Sequence, residues 1–342
     1  MGIVLGIKII TYIAIPTVLV TLTYNALVRY VIRFEYSKGL TGIDIHKPSK
    51  PKIPSTSGPI LIPTLLVTII TLYVIYKITG GYELMVLAIY LVPSLISGLI
   101  GLVDDLVTLD AKTKTFLPII SALPIVLTGL YYPRPYVPFI GTLRLTIIYP
   151  LAILLAYSVG TNGLNMIDTH NGIVPSVTLI AASFSLPLIA RNVVTGKTSV
   201  AALYLAVVVI VIALNQLIYN MYPARIFNGD SGSFILGALL VSLTILGRVE
   251  FFMITALMPL IINGFQIITS IGGLRERREI VKRPTVIKGK YIEGSCDLKA
   301  PITLVQLITL KNPLTECELV ITEILLFILT GFLALITMLL TS

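Results

Sequence analysis

The stretch RIFNGDSGSFILGALLVSLTILG, at residues 225–247, decides the fold of this chain. From Ser231 to Gly247 it carries no charged side chain, and a helix needs ~17–25 such residues to cross a bilayer. The rest of the chain has the same character, because 56% of its 342 residues are hydrophobic and only 12% are charged. Soluble domains carry about 25% charged residues. The composition therefore excludes a soluble globular protein and predicts an integral membrane protein.

Working outward from this segment, we find ten apolar runs of spanning length. They lie near 3–28, 58–76, 84–103, 116–132, 144–160, 172–190, 198–218, 231–247, 251–274 and 320–340. We therefore predict an all-α fold, in which residues 1–342 form one polytopic membrane domain with ten transmembrane helices. An even number of spans places both termini on the same side of the membrane.

Most basic residues fall in five of the predicted loops. These loops lie near 29–57, 104–115, 161–171, 219–230 and 275–319, and they hold 18 of the 25 Lys and Arg residues. Because basic loops stay on the cytoplasmic side, we predict a multi-pass protein of the cell membrane with these loops inside and both termini outside. Attraction to anionic lipid headgroups is a further role for this charge. No nucleic-acid partner is predicted, since no basic module stands apart from the spans.

Four of the 16 acidic residues lie at the predicted loop face of the membrane. Asp104 and Asp105 fall in GLVDDL, Asp168 in TNGLNMIDTHNGI and Asp230 in RIFNGDSGSFILG. A carboxylate near a membrane is costly unless it faces water, a cation or a pocket. Oxygen-rich groups of this kind suit a hard cation such as Mg²⁺, which usually takes one or two carboxylates plus substrate phosphates.

Each segment also has a simpler explanation. The paired aspartates are compatible with a solvated helix end, and Asp230 with a helix N-cap. An ordinary position in a turn or loop also explains the neighbouring polar residues, which are Asn162, Asn165, Asn171, His46 and His170. The co-occurrence of three acid-bearing segments on one face, with Lys114 close by, favours a membrane-face site for a divalent ion and a phosphorylated ligand.

A multipass transporter is the alternative from a different class. Transporters keep ionisable residues near the middle of their spans or show an inverted repeat. The acids of this chain lie at span ends, and the acid-bearing segments are not repeated. These two features favour a site at the membrane face.

These segments resemble the polyprenyl-phosphate N-acetylhexosamine-1-phosphate transferase superfamily, of the glycosyltransferase family 4 type. The resemblance rests on four motifs, in the family's order: KPKIPSTSG at 50–58, GLVDDL at 101–106 with Lys114, NGLNMIDTHNG at 162–172 and IFNGDSGS at 226–233. It implies an enzyme that transfers a sugar phosphate from a UDP-sugar to a polyprenyl phosphate. It also implies ten spans, cytoplasmic motifs and a homodimer.

Two details favour the branch that uses UDP-N-acetylglucosamine over the branch that starts peptidoglycan. The histidine-rich signature of the peptidoglycan branch is missing from 275–319, and Asn171 stands where that branch has Asp. The segment LTECELVITEILL at 314–326 resembles the start of the last span in the eukaryotic dolichyl-phosphate N-acetylglucosamine-phosphotransferase. An archaeal enzyme of protein glycosylation with a dolichyl-type carrier is the preferred interpretation. The alternative is another UDP-N-acetylhexosamine donor.

The resemblance also implies roles for individual residues. Asp230 and Asn171 would hold Mg²⁺ or Mn²⁺, and Lys114 would add a positive charge at the diphosphate. Asp104 or Asp105 would orient or deprotonate the lipid phosphate, or act as a covalent nucleophile in a two-step route. The predicted substrate-binding residues are Asn162, Asn165, Asp168, Asn171, Phe227 as a ring that stacks on uracil, and Arg277, Arg278, Lys282 and Arg283 in the last loop.

Overall fold

The computed structural model describes residues 2–275 and 279–341, and describes only the backbone of residues 2–11. The helices of the described chain are, in order, α1 Gly2–Lys38, α2 Gly58–Thr79, α3 Tyr82–Val107, α4 Ala111–Phe116, α5 Leu123–Thr128, α6 Ile148–Ile167, α7 Ile173–Val194, α8 Ala201–Asn220, α9 Gly229–Gly247, α10 Glu250–Ala256, α11 Met258–Ser270, α12 Leu304–Thr309 and α13 Glu316–Thr341. A 3-10 helix at Leu117–Ala122 joins α4 to α5.

The predicted number of spans agrees with the structure when one bent pair is counted as a single span. In the described residues, nine helical segments are long and apolar enough to cross a membrane, with Ala111–Thr128 taken as one. The pair α10 and α11, which bends by 63°, brings the number to ten only if it is counted as one span. The chain is therefore a multi-pass membrane protein.

Short antiparallel strands lie in the loops that connect the helices. They are β1 Thr41–Ile43 with β2 Lys52–Pro54, β3 Tyr136–Val137 with β4 Gly141–Thr142, and a three-stranded sheet of β5 Thr285–Lys288, β6 Tyr291–Gly294 and β7 Leu314–Thr315. This sheet, α12 and the start of α13 form a small separate core of Ile292, Val305 and Leu319. The predicted loop at 275–319 is thus partly folded, which corrects a purely helical description.

Helix α9 lies at the centre, and 83% of its spanning window is buried, mainly against α3, α6, α7 and α8. Two glycines allow this close packing. A Cβ atom on Gly101 of α3 would lie 2.5 Å from the Cα atom of Ser231, and one on Gly237 would lie 2.6 Å from the carbonyl oxygen of Gly160 in α6. Because these positions carry no side chain, α3 packs closely against the start of α9 and α6 packs closely against its middle. All three helices carry predicted site residues.

Several predicted loops are shorter than expected, because the helices continue past the apolar runs. Helix α1 extends to Lys38, so part of the predicted loop at 29–57 is helical. The predicted loop at 161–171 begins inside α6, and Asp230 lies inside the first turn of α9 rather than before it. Polar residues end the apolar pattern, but they do not break hydrogen bonding of the helix backbone. Asp104, Asp105, Asn165 and Asp230 therefore lie at helix ends.

Candidate functional site

A row of three charged side chains forms the centre of the candidate site. The ammonium nitrogen of Lys114 lies 2.6 Å from Oδ2 of Asp104 and 2.8 Å from Oδ1 of Asp230. The Asp104 side chain is only 2% exposed, and it also accepts the backbone N–H of Leu109 at 2.6 Å. The Asp230 side chain is 25% exposed. Asp104 therefore anchors Lys114, while Asp230 remains reachable from the loop end of the bundle.

Asp105 lies beside this row, but its carboxylate is fully engaged with the start of α9. Oδ1 accepts the backbone N–H of Asp230 at 2.7 Å. Oδ2 accepts the Ser231 backbone N–H at 3.1 Å and the hydroxyls of Ser231 and Thr56, both at 2.7 Å. The first amides of a helix have no partner in the helix itself, and a carboxylate is favoured at this positive end. Asp105 thus caps α9 from α3, and this geometry favours an orienting role over that of a base.

Two asparagines of α6 have different positions. Asn165 donates its amide to the Asp230 carboxylate and, at 2.9 Å, to the Ser233 hydroxyl. Asn162 donates its amide to the carbonyl of Ser158 in its own helix at 2.9 Å and, at longer range, to the carbonyl of Thr115. Asn165 is therefore part of the site, whereas Asn162 ties α6 to the segment that carries Lys114. Direct contact of either residue with a substrate stays a prediction.

Asp168 follows the end of α6, and its Oδ1 accepts the amide of Asn228 at 2.8 Å. Burial raises the pKa of Asp168 to about 7, and the nearby carboxylates of Asp230 and Asp105 act in the same direction, against the Asn228 hydrogen bond. A carboxyl group that titrates near neutral pH can hold or release a proton during a reaction. The structure brings Asp168 into the same group of acids as the sequence predicted.

Asn171 is placed in a second cluster with residues from both ends of the chain. Its side-chain amide donates to Oδ2 of Asp44 at 2.9 Å, and its backbone N–H donates to Oε1 of Glu316 at 3.2 Å. Lys47 forms an ion pair with Asp44 and lies 3.2 Å from Oε2 of Glu316. No hydrogen bond joins Asn171 to Asp230 within the described residues, so a shared metal ion between the two stays a prediction.

The two histidines lie beside this second cluster. The rings of His46 and His170 stack with centroids 4.4 Å apart, and His170 is 6% exposed. Burial lowers the pKa of His170 well below its usual value, with His46 and Lys47 acting in the same direction. His170 lies in the loop between α6 and α7, as predicted, and it is a buried neutral imidazole.

The residues predicted to contact the nucleoside and the phosphates are the least supported part of the site. Phe227 is partly buried, and its ring lies so close to Gly42 of β1 that an added Cβ would be 3.1 Å away. Lys282 forms an ion pair with Asp297 at 3.0 Å, and Arg283 is exposed. Arg277 and Arg278 lie outside the described residues. Substrate-binding roles stay predictions for five residues, which are Phe227, Lys282, Arg283, Arg277 and Arg278.

Sequence analysis missed several residues that hold the site together. They are Thr56, Asn228 and Ser231 around the first group of acids, and Asp44, Lys47 and Glu316 around Asn171. Thr56, Asn228 and Ser231 lie within the quoted motifs, so their position was a usable signal. Glu316 carried a weaker signal, because an acid at the start of an apolar span is expensive without a partner.

Comparison with known proteins agrees with this geometry. Residues 86–248, which include the central acids and the whole of α9, match the family described as glycosyl transferase family 4. The chain is similar to a Sulfolobus acidocaldarius protein with the provisional name UDP-N-acetylglucosamine–dolichyl-phosphate N-acetylglucosaminephosphotransferase. The two are 31% identical over 231 residues, which cover 67% of this chain and 68% of the relative.

Two further relatives extend the similarity. A Methanocaldococcus jannaschii protein, provisionally named a glycosyltransferase, is 29% identical over 319 residues, or 92% of this chain and 91% of the relative. A Bacillus subtilis protein, provisionally named an undecaprenyl-phosphate N-acetylglucosaminyl 1-phosphate transferase, is 36% identical over 172 residues, or 49% and 46%. Together with the pairing of Lys114 with Asp104 of α3 and Asp230 of α9, these similarities show that the chain belongs to glycosyltransferase family 4.

Proposed function

We propose that the protein transfers N-acetylglucosamine 1-phosphate from UDP-N-acetylglucosamine to a polyprenyl phosphate of the dolichyl type. The products are polyprenyl-diphosphate-N-acetylglucosamine and UMP, and the reaction is the first membrane step of N-glycan-type assembly. The observation that carries the proposal is the Asp104–Lys114–Asp230 row at the loop end of an apolar bundle. The provisional names of the relatives support the donor and the carrier.

Charge neutralisation is the main requirement of this reaction, because both reactants are anions. An oxygen of the lipid phosphate attacks the phosphorus that carries the sugar, and the bond from that phosphorus to UMP breaks. The ammonium group of Lys114 forms an ion pair with the partly exposed carboxylate of Asp230, so it is positioned to bind the diphosphate. Asp104 and Asn165 hold these two groups in place from neighbouring helices.

We also propose that a divalent cation binds at this site. Both contacts of Asp230 with Lys114 and Asn165 use Oδ1 of its carboxylate, and the side chain is 25% exposed. The amide nitrogen of Asn171 is turned to Asp44, which directs its carbonyl oxygen elsewhere. Asp230 and Asn171 would hold Mg²⁺ or Mn²⁺, and the ion would polarise the diphosphate as a Lewis acid. Oxygen donors of this type match those ions.

A separate base is not required for the attack. A lipid phosphate is already largely ionised near neutral pH, since its second pKa is ~6. The carboxylates of Asp104 and Asp105 each accept several hydrogen bonds from the protein, which favours a single displacement over a covalent aspartyl intermediate. Asp168, with a pKa of about 7, is largely protonated below that pH and therefore supplies no base there either.

We further propose that the site faces the cytoplasm and that both termini lie outside. The support is the concentration of basic residues in the loops at the site end of the bundle, 18 of 25 in the sequence. UDP-sugars are then bound where Phe227 and Asp168 flank the start of α9, with cations of the last loop on the outer phosphate oxygens. A homodimer is proposed from the family resemblance alone.

The experiment uses purified protein, a short-chain dolichyl phosphate and UDP-N-acetylglucosamine labelled in the sugar, with and without Mg²⁺. The expected result is metal-dependent labelling of the extracted lipid and release of one UMP per labelled lipid. A parallel panel of UDP-N-acetylgalactosamine and other UDP-sugars determines donor preference. Folded protein that labels no lipid with any donor would contradict the proposed function and favour a transporter.

A further inference from the structure

A buried chain of hydrogen bonds runs from α1 to one of the acids of the candidate site. The Tyr24 hydroxyl donates to Oε1 of Gln216 at 2.7 Å, and the Gln216 amide donates to Oδ1 of Asn228 at 2.7 Å. The Asn228 amide in turn donates to Oδ1 of Asp168 at 2.8 Å. Tyr24, Gln216 and Asn228 are at most 1% exposed, so their polar groups depend on these protein partners.

Asn220 fixes the direction of this chain, because its other partners are backbone groups. Its Oδ1 accepts the backbone N–H of Gly172 at 3.0 Å and the Asn228 amide at 3.1 Å, and its own amide donates to the Ile226 carbonyl at 2.9 Å. A backbone N–H can only donate and a backbone carbonyl can only accept, so the Asn220 side chain has one favourable orientation. The Asn228 amide therefore keeps its NH₂ end toward Asn220 and Asp168.

Helix capping does not explain the amide at position 228. Asn228 is the N-cap residue of α9, and an asparagine at this position usually accepts an N–H from the first turn of the helix. The Asn228 side chain makes no such hydrogen bond. Its oxygen accepts the Gln216 amide instead, and its NH₂ group is used by Asn220 and Asp168.

The fixed amide makes the two oxygens of Asp168 different. Oδ1 meets an N–H donor, so a proton on this oxygen would point at another hydrogen. No hydrogen bond from the described residues reaches Oδ2, and the side chain is only half-buried. The charged groups near enough to act on Asp168 are the carboxylates of Asp230 and Asp105, which accept hydrogen bonds and donate none. Oδ2 is therefore the oxygen of Asp168 that a bound molecule can reach.

We propose that Asn228, oriented by Asn220, is a positioning residue that occupies Oδ1 of Asp168 and leaves Oδ2 to accept a hydroxyl group of the nucleotide sugar. The part that concerns the substrate rests on the proposed function. The same residue immediately precedes α9 and lies two positions before Asp230, so it links the orientation of Asp168 to the start of α9.

Asn228→Asp tests the direction of the hydrogen bond to Asp168. A carboxylate at position 228 can only accept, so its oxygens would face those of Asp168 and Asn220. We expect this variant to melt well below the wild type above pH 7, where Asp168 is ionised. Adding Asp168→Asn supplies a donor at position 168 and should recover part of the loss. An Asn228→Asp protein that melts like the wild type would overturn the proposal, because the proton would then come from Asp168.

Asn162→Asp is the matched control for this recovery. The Asn162 amide donates to the backbone carbonyls of Ser158 at 2.9 Å and Thr115 at 3.3 Å, and within the described residues no hydrogen bond joins it to Asp168. This exchange should also lower the melting temperature, but adding Asp168→Asn should not restore it. Equal recovery in both proteins would refute a specific contact between Asn228 and Asp168.

Turnover separates this contact from its role in the reaction. Asn228→Asp should lower lipid labelling about tenfold or more, because small displacements in a substrate site are costly. The double variant should regain melting temperature but not turnover, since its carboxylate lies at position 228 and not at 168. A double variant that regains both would refute the role of Oδ2 of Asp168.

Tyr24→Phe tests the orientation by Asn220 with a milder change. It removes the first donor of the chain and leaves Asn220 in place, so the melting temperature should fall slightly while turnover stays within about twofold of the wild type. A loss of turnover as large as that of Asn228→Asp would contradict the role of Asn220. If the wild type transfers no sugar phosphate, the proposed function fails, and the melting temperatures still decide whether the contact exists.

Discussion

Replacing Asp105 by Asn tests how α3 holds the start of α9. The carboxylate accepts four hydrogen bonds, one at Oδ1 from the Asp230 N–H and three at Oδ2 from Ser231 and Thr56. Asn has the same size but only one oxygen. If that oxygen takes the place of Oδ2, the NH₂ group points at the Asp230 N–H, and two donors meet in a poorly hydrated place.

The magnitude follows from these contacts. One unsatisfied amide costs about 1–3 kcal/mol, and loss of the charge weakens the three bonds that remain. We expect a loss of about 2–4 kcal/mol in the free energy of unfolding, or a drop of roughly 5–15 °C in melting temperature at the scale of larger domains. A shift of the Asp230 carboxylate by ~1 Å would also lower turnover about a hundredfold.

The assay combines thermal unfolding in detergent with formation of labelled lipid. Ser231→Ala is the matched comparison, because it removes one of the three donors to Oδ2 and keeps the carboxylate. Its cost should be about 1 kcal/mol, and its turnover should stay well above that of the Asp105→Asn protein. An Asp105→Asn protein that melts and turns over like the wild type would refute the capping role.

Three further predictions follow from the packing and charge of the site. Gly101→Ala places a Cβ 2.5 Å from the Ser231 Cα and should cost about 1–3 kcal/mol by thermal unfolding, whereas Gly264→Ala, with its nearest atom at 3.7 Å, should be nearly neutral. The folded-state pKa of Asp168 is about 7 and the unfolded value ~3.9, so the folded state keeps a proton between these values. Its stabilising contribution is present below about pH 4 and is lost as the pH rises to 7, by at most ~1.4 kcal/mol per unit, and Asp168→Asn should flatten this dependence of the melting temperature. Lys114→Met leaves two facing carboxylates without their cation, and should lower both melting temperature and lipid labelling, the latter at least a hundredfold.

The membrane spans were predictable, because a long uncharged run can adopt few structures other than a helix in a bilayer. The ends of the helices were not, because a polar side chain ends the apolar pattern without ending the helix. Arg29 and Arg33 were assigned to a loop but lie in α1, and Asn162 and Asn165 lie in α6. The structure thus lengthens several helices toward the site.

The candidate site was predictable as a group of acids, but its internal contacts were not. Motif residues on one face of a membrane must lie at similar depth, which brought Asp104, Asp168 and Asp230 into one hypothesis. Which carboxylate caps a helix and which stays reachable depends on contacts over long sequence distances. The hydrogen bond between Asp105 and the start of α9, 125 residues later, has no local sequence signal.

The folded loop at 275–319 did carry a signal. The segment TVIKGKYIEG at 285–294 places Gly289 between two strand-like runs, and this glycine adopts a positive φ of 63° in the turn between β5 and β6. A hairpin is the usual structure for such a pattern. The prediction for this loop rested on its basic residues instead.

The most direct test of the proposed reaction compares the wild type with Asp230→Asn, using mass spectrometry of the lipid product formed from UDP-N-acetylglucosamine and dolichyl phosphate with Mg²⁺. Asn keeps an oxygen for Lys114 or Asn165, so the fold and melting temperature should change little. The wild type should form dolichyl-diphosphate-N-acetylglucosamine and UMP, and the variant should be at least a hundredfold slower. Near-normal product formation by the Asp230→Asn protein would contradict the central role assigned to this site.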